Sequence, residues 1–281
     1  MNSRAAQRMA KAVLGLALLA VVGGCQSNGN PDSTFLGDLI GDISPPTPSQ
    51  AARDAFNVYD PDARRRAVAL LSASPFGGEA PYVRTYRLLM DDPDPTVRAA
   101  CLAALGLHGG PEDVPLMTDH LTHPVNFVRW EAAKALQKVH DPRAVRPLLN
   151  ALRNDEDLDV RLAAATALGQ YRDAEVFGTL VGALSDRDYG VRQAAADSLA
   201  TLTGQGFGVD APAWLAWSQG QDQAQLFADA RGYTWRPYDK PPGFWGRLQF
   251  WEKREPPDPR VPTGLDATGA GDATGPTDSA G

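Results

Sequence analysis

Cysteine is almost absent from the 281 residues: only Cys25 and Cys101 occur. Two cysteines cannot build a disulfide framework or a cysteine-type metal cluster, so stability has to come from an apolar core. Histidine is nearly as scarce, at positions 108, 120, 123 and 140. His120 and His123 have a spacing that helical metal ligands use, but they lie beside Pro124 at a helix end with no third ligand in view. A surface or turn role is preferred for them, and no metal is expected. No Gly-x-Ser-x-Gly elbow, phosphate loop or dinucleotide fingerprint is present, so neither a catalytic residue nor a cofactor is expected. Basic excess is missing too. The 27 Lys and Arg face 34 Asp and Glu, a net of −7, which disfavours nucleic acid as a partner. The run Ala12–Val22 (AVLGLALLAVV) is apolar but too short for a permanent bilayer span.

What is present begins with that run. It follows Arg4, Arg8 and Lys11, with no acid before it, which is the layout of a signal peptide. It ends in Val22-Gly23-Gly24-Cys25. These four residues resemble the lipobox of bacterial lipoproteins. The resemblance implies that residues 1–24 are removed, that the Cys25 thiol receives a diacylglycerol, and that the new amino terminus is acylated, with palmitate-type chains. Two or three chains gain about 0.8 kcal/mol per buried methylene, enough for stable anchoring to the membrane. Gln26 follows the cysteine where an Asp would imply retention at the inner membrane, so the periplasmic face of the outer membrane is favoured. Without residues 1–24 the chain has 24 basic and 34 acidic residues, a net near −10. Residues 25–50 read as a lipidated tether containing one brief apolar patch, TFLGDLIGDI at 34–43.

The middle of the chain repeats. Val-Arg pairs stand at 97–98, 128–129, 160–161 and 191–192, at intervals of 31, 32 and 31, with a degenerate copy at Ala63-Arg64. A period of this size indicates a solenoid of helix pairs, because one pair cannot bury its apolar face alone. At 100° per residue, positions +4, +7 and +8 share the face of the Val. They are Cys101, Ala104 and Leu105; Ala132, Ala135 and Leu136; Ala164, Ala167 and Leu168; and Ala195, Ser198 and Leu199. Small residues admit a neighbouring helix and Leu fills the core, so Cys101 reads as a buried space-filler. A shorter helix precedes each of these, and Asp94, Asp157 and Asp188 stand three residues before the Val, placed as caps.

Asp-rich turn, Val-Arg, then an Ala-rich helix ending Ala-Leu-Gly resembles HEAT repeats, most closely the short kind found in phycobilisome-lyase-type proteins. The resemblance covers about residues 51–216. It implies an all-α, right-handed α-solenoid of about five helix pairs, with the second helix of each pair lining the concave side and an Asp–Arg ladder between neighbouring repeats. Asp92, Asp155 and Asp186 stand six residues before Arg98, Arg161 and Arg192; at Arg129 the corresponding residue is His123, and the ladder is expected to be interrupted there. Trp214 and Trp217, after a Gly cluster, read as a cap over the last repeat or, alternatively, as an aromatic ligand site.

These observations divide the chain into 1–24 signal peptide, 25–50 lipidated tether, 51–218 solenoid with its cap, 219–254 aromatic-rich strap or docking segment, and a 255–281 tail expected to be disordered. Within Tyr233–Trp251, the residues Phe244, Trp245, Leu248 and Trp251 share a helical face. They would suit a strap on the solenoid, a contact for a protein partner, or an interfacial helix. Residues at +2, +6 and +9 point away from the core on this phasing. Trp130, Lys134, Leu162 and Gln193 form the candidate protein-binding ridge, with Trp130 read either as an anchor or as packed on its own chain. The function expected is a non-enzymatic membrane-anchored scaffold for another envelope protein. The alternative is a HEAT-type lyase or cofactor-handling protein of the envelope.

Overall fold

A computed structural model of the protein describes residues 47–237 and 258–265. The signal peptide, Cys25, residues 26–46 and the helical face Phe244–Trp251 lie outside the described residues. The first helix begins earlier than residue 51. The Thr47 side chain accepts the Gln50 backbone N–H at 3.3 Å while the Thr47 N–H donates to the Gln50 side chain at 2.7 Å, and this reciprocal cap starts α1 at Pro48.

Five helix pairs follow in order. They are α1 (Pro48–Asp54) with α2 (Pro61–Ser72), α3 (Ala80–Leu88) with α4 (Pro95–His108), and α5 (Val114–Asp119) with α6 (Asn126–Leu136). Then come α7 (Val145–Asn154) with α8 (Leu158–Leu168), and α9 (Ala174–Ala183) with α10 (Tyr189–Thr203). Prolines at the first turn of α1 to α5 are tolerated because those N–H groups have no helical partner. Asp60, Asp94, Asp157 and Asp173 cap α2, α4, α8 and α9.

The core follows the 3.6-residue phase. Val97, Cys101, Ala104 and Leu105 are fully buried, as are Val128, Ala132, Ala135 and Leu136, and Val160, Ala164, Ala167 and Leu168. Burial also pushes the Cys101 thiol well above its usual pKa, which leaves it an inert filler. In two of the four copies position +9 does not point outward as the phasing suggested. Gly106 and Gly169 are buried; a Cβ on Gly106 would stand 2.9 Å from Ala135 Cα, and one on Gly169 would stand 2.8 Å from Ser198 Oγ. At these glycines α4 meets α6, and the end of α8 meets α10, with no room for a side chain.

Beyond α10 the helix stops at Gly204, at φ 74°. Helix α11 (Ala211–Ser218) then lays Trp214, fully buried, against Phe177 of α9 and edge-on to Phe207 at 5.0 Å, while its indole N–H donates to Gly208 O at 2.8 Å. Trp214 thus closes the apolar end of the last repeat. A single turn, α12 (Gln223–Leu226), follows.

Residues 231–237 and 258–265 then form an extended strap along the solenoid. The last carbonyls of a helix have no partner within it, and the strap supplies donors to them. Arg231 N–H donates to Thr201 O at 2.7 Å, Tyr233 O–H to Thr166 O at 3.0 Å, and Thr263 N–H to Lys138 O at 2.9 Å. These acceptors lie at or just past the ends of α10, α8 and α6. Trp235 and Arg260 exchange backbone bonds of 2.9 and 2.7 Å, and Tyr233 and Trp235 are buried. Residues 258–265 were expected within a flexible tail; they are instead held by these backbone bonds, with Pro262 buried.

Candidate functional site

Two features distinguish this solenoid: its ladder of ion pairs and the outward face of α6, α8 and α10. The ladder is built by the Arg after each Val. Arg64 Nε and Nη2 bond Asp92 at 2.7 and 2.8 Å. Arg129 bonds Asp155 at 2.8 and 2.9 Å, and Arg161 bonds Asp186 at 2.9 and 3.1 Å. Each carboxylate therefore serves the Arg of the preceding repeat. Its own repeat's Arg bonds the backbone of the turn instead, as Arg161 does at Asp155 O (3.0 Å) and Arg192 at Asp186 O (2.8 Å). Bidentate Arg–carboxylate pairs fix both distance and orientation between neighbours.

One rung differs. Arg98 meets the ring of His123, with Nη1 3.3 Å from Nε2. The His123 Nδ1 accepts the Val125 N–H at 3.1 Å, and its ring stacks on His120 at 6.2 Å. Burial, and then the charge of Arg98, hold the imidazole below its ordinary pKa. His123 consequently binds fewer protons folded than unfolded, so its contribution to stability is complete above about pH 6.5 and falls as the solution is acidified. His120 is buried and engaged with Leu116 O at 2.9 Å. Among the described residues no group of three His, Cys, Asp or Glu side chains could hold a metal ion.

The face expected to bind a partner is divided by the structure. Trp130 is partly buried against the core, and Lys134 Nζ sits 4.0 Å over its ring while pairing with Glu131 at 3.1 Å. Both residues lie on α6. Leu162 and Gln193 come together one repeat further on, in an open groove of about 540 Å³ between α8 and α10 whose end wall is the strap at Gly232–Thr234. Tyr189 and Asp197 of α10 also line it. Asp197 is the outward +6 position counted from Val191, but Tyr189 was not selected from the sequence. Tyr189 stands two residues before Val191, outside the +2 and +6 positions, yet it is 65% exposed.

Residues 85–157 and 145–216 match the family model of HEAT repeats. Residues 85–216 are accordingly HEAT repeats, within an all-α solenoid. Among solved structures it resembles an engineered protein (19% identity over 65% of this chain and 92% of that one, TM-score 0.48). It also resembles a designed armadillo repeat protein (17% identity, 65% and 95%, TM-score 0.44). A third is the phycocyanin lyase complex of Nostoc sp. (18% identity, 73% and 98%, TM-score 0.38). At such identities and overlaps nothing about activity transfers. No curated protein matches the chain.

Proposed function

We propose that the protein is a non-enzymatic scaffold, lipid-anchored in the bacterial cell envelope, that holds another envelope protein against the face formed by α6, α8 and α10. The observation that carries this reading is the groove at Leu162 and Gln193, open to solvent one repeat on from the partly exposed Trp130. Exposed aromatic and aliphatic side chains on such a frame are frequent binding anchors. The match of Val22-Gly23-Gly24-Cys25 to a lipobox supports the anchor, and Gln26 supports the periplasmic face of the outer membrane.

Crosslinking and pull-down from membranes with the lipidated protein tests the binding reading. The double variant Trp130→Ala, Leu162→Ala is expected to fold and to lose most of the captured partner. Unchanged capture by the folded variant would reject this face. The anchor is tested separately. Cys25→Ser is expected to remain unprocessed or to move to the soluble fraction, and acyl label persisting on it would exclude Cys25 as the lipidated residue.

A further inference from the structure

Three rungs of the ladder share one arrangement. One oxygen of the Asp takes the N–H two residues on, from Asp94 to Asp92 at 2.9 Å, from Asp157 to Asp155 at 2.9 Å, and from Asp188 to Asp186 at 2.8 Å. The same carboxylate also receives the guanidinium of the preceding repeat. An ionised carboxylate has lone pairs for all these donors.

His123 occupies the same position and meets the same two donors, Val125 N–H at Nδ1 and Arg98 at Nε2. A neutral imidazole has only one nitrogen with a free lone pair. It can satisfy one of the two donors, and at the other nitrogen N–H faces N–H. The Val125 bond is the shorter, at 3.1 Å against 3.3 Å, and repeats the turn geometry of the other rungs. Keeping that bond puts the hydrogen on Nε2, beside the permanently charged guanidinium of Arg98. Arg98 has no carboxylate within 4 Å among the described residues; its Nε donates to Asp92 O. The cap position of this turn is Val125, where the other four repeats have Asp, so neither acid of the turn is present. The charged and titratable groups around the ring are Arg98, His120 and Arg129, whose Nη1 donates to His123 O at 3.0 Å. Arg98 and His123 are both partly exposed.

We propose that the Arg98–His123 rung is a carboxylate-binding site, in which an acidic side chain of a partner protein accepts from His123 Nε2–H and Arg98 Nη1–H together and supplies the acid that the turn lacks. Two adjacent donors with one positive charge and no acceptor match a carboxylate oxygen, and charge-assisted bonds of this kind are the stronger class. The site lies on the turn edge of the solenoid, and the inference does not depend on the groove at Leu162 or on lipidation.

Sodium acetate serves as the probe, with the full chain labelled with ¹⁵N at histidine and arginine. Long-range ¹H–¹⁵N spectra at neutral pH are expected to show His123 with Nε2 protonated and Nδ1 free. Acetate exchanged for chloride at constant ionic strength should shift the His123 and Arg98 side-chain resonances saturably and raise the unfolding midpoint by mass action. His123→Asp fills the rung from within. It should raise the midpoint by several degrees in chloride and abolish the response of both the midpoint and Arg98 to acetate. Arg98→Gln should abolish the acetate response while leaving the His123 tautomer unchanged. A proton on Nδ1 with Nε2 free, an equal response to chloride, or a stronger response to phosphate than to acetate would each overturn the assignment. So would a His123→Asp variant that is no more stable than the parent.

Discussion

Leu168→Ala is expected to lower the free energy of unfolding by about 2–5 kcal/mol, and Leu136→Ala by a similar amount. Both side chains are fully buried, as are the alanines at the +4 and +7 positions of each helix. The loss exceeds the transfer term because the surroundings cannot collapse. Gly106 against Ala135 and Gly169 against Ser198 already hold α4 to α6 and the end of α8 to α10 too closely for a side chain between them, which leaves little slack to close a cavity. Leu158→Ala provides the contrast. That side chain is 45% exposed, and its truncation should stay within about 0.5 kcal/mol. Urea unfolding measures all three. A loss below about 1 kcal/mol at both buried leucines would show that the assigned core face is wrong.

Asp92→Ala is expected to cost about 3–5 kcal/mol, because it leaves a buried guanidinium without its acid. Arg64 is only 7% exposed, and two of its nitrogens end on Asp92. The same carboxylate also receives the Asp94 N–H, so the turn into α4 loosens with the pair. The exposed pair Arg65–Asp62 on α2, joined through one carboxylate oxygen at 3.1 Å, stands in water, and Asp62→Ala should change stability by about 0–1 kcal/mol. The comparison separates burial from mere ion pairing. If both variants lose the same small amount, the ladder is a surface decoration and does not hold the repeats in register.

Most of the solenoid was legible because its signal is redundant. The Val-Arg pair, the small residues at +4 and +7 and the Leu at +8 recur, and each copy corrects the reading of the others. Gly106 and Gly169 were misread as outward for a physical reason. A glycine has no side chain to declare a face, and its burial comes from the neighbouring helix, not from its own phase. The ladder was legible as a contact between neighbours, and His123 as the residue that breaks it. Which Arg each Asp serves was not, since a spacing of six residues is compatible with a contact inside the turn, and the structure assigns that contact to the backbone carbonyl. The strap leaves the weakest trace of all. Its bonds from Arg231 and Thr263 run from main chain to main chain and impose no residue pattern, so only the aromatic residues were conspicuous. On the candidate face, Leu162 and Gln193 do share a groove, but the wall at Gly232–Thr234 comes from a segment too distant in sequence to be placed there by phase alone.

The strap also changes what kind of object the repeats form. Units that touch only their neighbours open from an end like a zipper, each with its own small equilibrium. Here Tyr233 is joined to Thr166 across 67 residues, and Thr263 is joined to the end of α6 from further still. The last three repeats therefore cannot unravel one at a time from the C-terminal side: the outermost pair is tied to the two inside it, and peeling any of them requires the strap to detach first. These ties close large loops, so in folding they form after the helices they bind, adding a late, non-local step to an otherwise locally wired chain.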